Sequence, residues 1–189
     1  MSNLAYQEEV REELLNGKIV AMSPRPAVNH NRVVVNLSTI FNVFLEGRSC
    51  TAFSDGVDVY LTENDRVIPD VMIVCSKDIV KKDGIYGAPD LIVEVLSPST
   101  AKNDKGYKKN LYEKCGVKEY WIVEVETRSI EVYLLKNKQY VMDNIYTVFP
   151  DYLLKKMTQA EKESIVREFN PSLFPEMTIA LEKVFKGLF

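Results

Sequence analysis

Two carboxylates in this sequence sit where a charge is costly to keep. Glu94 lies inside Leu91-Ile-Val-Glu-Val-Leu96, an apolar run bounded by Pro89 and Pro98. A run of that length, rich in Val and Ile, reads as a strand buried on both faces. Asp70 stands directly before a similar run, Val71-Met-Ile-Val74. An isolated carboxylate in such surroundings costs several kcal/mol even after relaxation, so each acid needs a cationic partner, either an amine or a metal ion. Two acids on neighbouring buried strands point to a shared metal site.

A candidate amine lies on the next element. Ser97-Pro-Ser-Thr100 offers hydroxyls for a helix N-cap, and Gly116 stands where a left-handed stop is expected, which predicts a helix from about Thr100 to Cys115. Asp104, Lys108, Leu111, Tyr112 and Cys115 share one stripe of it. Leu111 and Cys115 should face the core, which puts Lys108 on or beside the buried face. Its ammonium could reach the two acids or snorkel past Leu111 to solvent. Asp104 is its i, i+4 partner.

Around these residues the chain reads as a mixed set of elements. Leu4, Val10 and Leu14 suggest a short amphipathic helix over 4–15 ending at Asn16-Gly17, followed by a strand at Lys18–Met22. Val33, Leu37, Ile40, Phe41 and Phe44 define a helix from His30 to Leu45. Strands are expected near Cys50–Phe53, at Val57–Leu61 and at Val67–Val74, then a polar loop over 76–89. After the Glu94 strand and its helix come a buried strand, Tyr120–Val125, and a hairpin of 129–135 with 139–142. Residues 151–168 read as an extra polar helix, and a short helix closes the chain. A strand–helix–strand unit around a mixed sheet indicates one α/β (α+β) domain spanning 1–189.

Bulk properties set limits. At 189 residues, 46% hydrophobic and 27% charged, the chain has room for one substantial core. No apolar run approaches the roughly 20 residues that span a bilayer, and the acidic N-terminus lacks signal-peptide character. Cys50, Cys75 and Cys115 show no metal-ligand spacing and are expected to be reduced thiols, which suggests the cytoplasm. A net charge of −3 argues against a general nucleic-acid coat. Lys102–Lys109 is the best candidate for a local basic patch, although such runs are usually a solvated helix face. Ile130, Val132, Tyr133, Tyr140 and Tyr146 of the hairpin could form a symmetric homodimer contact.

The motif string resembles a known family. Ile68-Pro-Asp-Val71, Gly87-Ala-Pro-Asp-Leu-Ile-Val-Glu-Val-Leu-Ser-Pro-Ser-Thr100, Asp104-Lys-Gly-Tyr-Lys-Lys-Asn-Leu-Tyr112 and Gly116-Val-Lys-Glu-Tyr-Trp-Ile-Val123 look like the Uma-type restriction endonucleases of the PD-(D/E)XK superfamily. Gly17-Lys-Ile-Val20, Met22-Ser-Pro24, His30 and Leu173-Phe-Pro175 add to the likeness. The resemblance implies a restriction-endonuclease-like fold, a mixed central sheet flanked by helices, with Asp70 and Glu94 as metal-binding acids. The superfamily's usual lysine position, two after the acid, holds Leu96 here, and the resemblance supplies Lys108 from the helix instead. Asp90, His30 and Glu13 match polar family positions and are candidates for supporting roles, while Asn16 replaces a common aspartate.

What the resemblance implies is hydrolysis of DNA phosphodiester bonds with Mg²⁺, or Mn²⁺ in its place. Asp70, Glu94 and a carbonyl near Val95 would hold the ion, and Lys108 would attend the water. The competing expectations are a weak or inactive nuclease-fold module that binds DNA or a protein partner, and a structural homodimer.

Overall fold

The structure, a computed structural model, describes residues 11–22, 26–54 and 56–189. In chain order it contains β1 (Glu12–Leu15), β2 (Lys18–Ala21), α1 (Val28–Leu45), β3 (Thr51–Ser54), β4 (Val59–Thr62), β5 (Asp65–Val67) and β6 (Val71–Val74). A 3₁₀ turn at Lys77–Ile79 precedes β7 (Ile85–Tyr86) and β8 (Leu91–Val95). One continuous helix follows, made of α2 (Ala101–Asn103), a π turn (Asp104–Lys108) and α3 (Lys109–Cys115). Then come β9 (Glu119–Glu124), β10 (Ser129–Lys136), β11 (Gln139–Thr147), α4 (Asp151–Leu154), α5 (Gln159–Glu163), β12 (Glu168–Phe169), β13 (Ile179–Ala180) and α6 (Leu181–Val184).

The main sheet has the order β11-β10-β9-β8-β6-β3, with β8 and β9 parallel and the other neighbours antiparallel. Its central strands are buried on both faces, and their side chains divide with period two. Val71, Ile73, Leu91, Val93, Trp121 and Val123 pack on one side with the α1 stripe of Val33, Leu37 and Phe41 and with the C-terminal segment. Met72, Val74, Ile92, Tyr120 and Ile122 pack on the other with Leu111 and Tyr112 of the helix and with Val59, Val67 and Ile85. The latter three belong to a second sheet, ordered β2-β1-β5-β4-β7. The mixed α+β architecture expected from the alternation of elements is present.

Several expectations need correction. Residues 12–15 form strand β1, not the end of a helix, and the rest of that expected helix lies at or next to positions outside the described residues. Asn16 and Gly17 both have positive φ, 53° and 72°, and close a two-residue hairpin in which Leu15 pairs with Lys18. This Asn-Gly turn matches strand twist, and it overrides the weak helical spacing upstream. The strand expected over Val67–Val74 is broken at Ile68-Pro69-Asp70, because proline cannot donate to a ladder. Residues 151–168 form two short helices: Thr158 is extended and starts α5 with a reciprocal Thr158/Glu161 capping box.

Cys50 and Cys75 are joined by a disulfide, against the expectation of reduced thiols, and only Cys115 is free. The β3–β6 register, Thr51 opposite Val74, places the two cysteines side by side one residue further out. The thiol argument for a cytoplasmic location therefore falls away. In the hairpin, Ile130, Val132 and Tyr133 are core residues, and Tyr140 and Tyr146 are half-buried, so these five offer no ready contact face. Ile130, Val132 and Tyr146 pack in the core on the α1 side of the sheet, and Tyr133 and Tyr140 in the core on the opposite side, which accounts for their burial. Among the described residues no helix is long and apolar enough to cross a membrane.

Candidate active site

The break at Pro69 frees Asp70 from the β-ladder just as the main sheet begins. Asp70 Oδ2 accepts the Val95 N–H at 2.8 Å, so its carboxylate is tied to the strand that carries Glu94. Glu94 itself is 3% exposed. Lys108, from the π turn, is 2% exposed, with Nζ 2.8 Å from Glu94 Oε1, 2.9 Å from Glu13 Oε1 and 3.5 Å from Asp104 Oδ1. The lysine therefore points inward and does not snorkel. Glu13 Oε1 also accepts the Ile68 N–H at 2.9 Å, which brings the β1 hairpin of the second sheet against the segment leading to Asp70. His30 Nε2, from the first turns of α1, is 3.4 Å from Asp70 Oδ2.

Glu13, His30, Asp70, Glu94, Asp104 and Lys108 all line one cavity of about 360 Å³. A wider groove of about 1090 Å³ runs elsewhere, past Arg128, Asp151, Lys155, Arg167 and Glu182. Those five side chains are all exposed, so no desolvated charge marks that groove as a reactive centre. Asp90 is not in the cavity. It clamps the start of β8, accepting the Cys75 N–H at 2.7 Å and the Lys118 ammonium at 2.6 Å.

The helix reaches the cavity through its π turn, a feature frequent at functional sites. Asp104 and Lys108, at its two ends, are both buried. Tyr120 of β9 donates its hydroxyl to the Asp104 carbonyl at 3.0 Å, supplying a partner to backbone in the widened turn. Two outward lysines of this helix are occupied: Lys105 pairs with Glu131 at 2.8 Å, and the Lys109 ammonium lies over the Tyr133 ring. They attach the helix to β10, which leaves Lys102 as the exposed lysine of the expected Lys102–Lys109 patch that is unengaged among the described residues.

Electrostatically the cavity holds more acid than base. Burial pushes the Glu94 carboxyl up, Lys108 pulls it down, and Asp104, Asp70 and Glu13 push it up again, leaving it well above its ordinary value. Burial works against the Lys108 ammonium, but Glu94, Glu13 and Asp104 outweigh it and hold the group protonated. The raised Glu94 and raised Lys108 favour opposite charge states. The protonated lysine is the firmer of the two, since three carboxylates surround one amine. Asp104 is also raised, first by burial, with Lys108 opposing. Its Oδ1 is buried and has no hydrogen-bond partner.

A hard divalent cation fits this donor set: the free oxygens are carboxylate, and the negative charge exceeds what Lys108 neutralises. Among the described residues no three His, Cys, Asp or Glu side chains form a ready-made cage. Mg²⁺ needs none, because it is commonly held by one or two carboxylates, waters and substrate phosphate. Asp104 stands beside Lys108 as its expected i, i+4 partner. Tyr112 is the site residue that sequence reasoning left without a part; it lies on the Lys108 stripe, and that stripe is the signal that could have found it.

The fold is that of the restriction-endonuclease-like α+β class. The chain belongs to the family described as "Uma2: Putative restriction endonuclease", whose model matches residues 2–160, and so to a nuclease family. An uncharacterized protein of Synechocystis, slr1290, is 32% identical over 134 residues, covering 69% of this chain and 70% of the relative. A second, sll1609, is 28% identical over 131 residues, covering 67% and 73%. A solved structure from Anabaena variabilis, described as "a putative nuclease belonging to DUF820", superposes with a TM-score of 0.69 over 94% of this chain and 90% of that one. At 18% identity that likeness speaks to the fold alone.

Proposed function

We propose that the protein is a divalent-metal-dependent endonuclease that hydrolyses phosphodiester bonds in DNA. The observation behind this reading is one cavity that gathers Asp70, Glu94 and Lys108 with an excess of buried acid. Asp70 and Glu94 would hold Mg²⁺, for which Mn²⁺ substitutes. Val95 would contribute its carbonyl, which leaves the strand on the same edge as the N–H that faces Asp70. When bound, the ion supplies Lewis acidity toward the phosphate and acidifies water. Lys108, held protonated, places the attacking water and offsets charge growing on the phosphoryl oxygens; it donates and does not act as the base. His30 steadies the Asp70 carboxylate.

The closed ion pairs around Lys108 also suit a nuclease-fold module that binds DNA or a protein partner without cutting. Nicking of supercoiled plasmid separates the two. The expected result is cleavage in Mg²⁺ or Mn²⁺, none in EDTA, and none by Asp70→Ala or Glu94→Ala. Normal cutting by either variant overturns the site. No cutting by the unaltered protein in either metal leaves the binding module.

A further inference from the structure

We infer that Tyr112 is the positioning residue that turns the Glu94 carboxylate so that one of its oxygens is kept for the metal. The role rests on reading Asp70 and Glu94 as the metal pair. Tyr112 is fully buried on α3, and its hydroxyl donates to Glu94 Oε1 at 2.6 Å. The Lys108 ammonium meets that same oxygen at 2.8 Å. Two donors from one helix thus converge on Oε1, and no donor among the described residues bonds Oε2.

Lys108 alone does not fix this orientation. A terminal carboxylate torsion is broad and nearly two-fold, so it takes whichever direction its donors impose. The ammonium is shared with Glu13 at 2.9 Å and Asp104 at 3.5 Å, and its three protons can redistribute among the acids. The phenol has one proton and one direction. Its ring is wedged edge-on against Tyr120, with centroids 5.1 Å apart, on a helix that Tyr120 also ties to the sheet. Tyr112 is therefore the rigid donor of the two. Without its hydroxyl, Oε1 keeps only a mobile partner, and the carboxylate is free to turn either oxygen toward Lys108.

The test compares Tyr112→Phe with Tyr140→Phe by titrating Mn²⁺ into the protein without DNA, with melting curves as the check on folding. Tyr140 donates to the Val117 carbonyl at 2.9 Å, outside the cavity, and so reports the generic loss of a phenol hydrogen bond. Tyr112→Phe is expected to fold, to bind Mn²⁺ roughly 10- to 100-fold more weakly, and to lose kcat in a way that extra Mn²⁺ restores, with KM for DNA unchanged. Tyr140→Phe should bind Mn²⁺ as the unaltered protein does. Equal weakening in both variants, or unchanged affinity in Tyr112→Phe, overturns the role of Tyr112. In the latter case loss of binding by Glu94→Gln leaves the metal pair standing. If the unaltered protein binds no Mn²⁺, the metal pair falls as well.

Discussion

Lys108 Nζ and Glu94 Oε1 meet at 2.8 Å, although one sits on a helix and the other in the middle of a sheet. The ion pair is buried, so cutting it on one side leaves charge without compensation. Lys108→Ala should lose about 3–5 kcal/mol of stability in urea titrations and cleave DNA on the order of 10²–10³ times more slowly. Added Mg²⁺ should return part of the stability, since a ligand that binds only the folded state favours it. Lys108→Arg should restore little, because a planar guanidinium does not fit the point between three acids. A stable, active Lys108→Ala protein would refute the electrostatic account.

Glu13 joins the two sheets at the cavity by accepting both the Ile68 N–H and the Lys108 ammonium. Glu13→Ala leaves a buried N–H unpaired and should lose about 1–3 kcal/mol. Glu13→Gln keeps an acceptor and should recover most of that loss. Denaturation of both variants side by side checks whether the hydrogen bond or the charge matters more.

Asp65 holds the β1–β2 turn through the Asn16 N–H at 2.8 Å and meets the Tyr107 hydroxyl at 2.6 Å. Burial pushes its carboxyl up, but the donors Asn16, Thr62 and Tyr107, with Lys114 nearby, bring it below the ordinary 3.8. A depressed folded value means stabilisation that is complete above the unfolded value and is lost as pH falls through the folded one. The stability gap between the unaltered protein and Asp65→Asn should therefore be constant above about pH 3.8 and close below it. Urea unfolding across an acid pH series measures this; a gap that does not narrow toward acid contradicts it.

The Cys50–Cys75 disulfide closes a loop with a sequence separation of 25 residues. Loop-closure entropy at this length corresponds to about 3.5 kcal/mol. Unfolding with and without dithiothreitol should differ by about that amount, and Cys75→Ser should match the reduced protein. Equal stability in both conditions would mean the bridge adds nothing.

The sequence made the centre of the molecule legible because the constraint there is local. Val- and Ile-rich runs reveal β6, β8 and β9 wherever both faces are buried, and the helical stripe turns Lys108 inward. What escaped depends on distant pairing. Cys50 meets Cys75 through the β3–β6 register, which no spacing between them encodes. Glu13 reaches Lys108 only because Asn16-Gly17 folds a hairpin against the second sheet, and three apolar residues at helical intervals masked that turn. Thr158 and Glu161 did carry their message locally, as a capping box inside what read as one helix.

The widened turn at residues 104–108 has a mechanical consequence. Each residue of an ordinary helix advances about 100° around the axis. The turn holds one residue more than regular winding would, so removing Gly106 would restore ordinary winding with the flanking segments near their present phase, whereas the same deletion within Lys109–Cys115 would swing everything before it by about that angle. Lys108 and Tyr112 would stay in phase with the sheet, and so would the approach to the helix; what would close is the loosened backbone whose Asp104 carbonyl meets the Tyr120 hydroxyl. The turn thus works as a slack link: it takes up one residue locally and leaves both halves of the helix facing the sheet as an unbroken helix would.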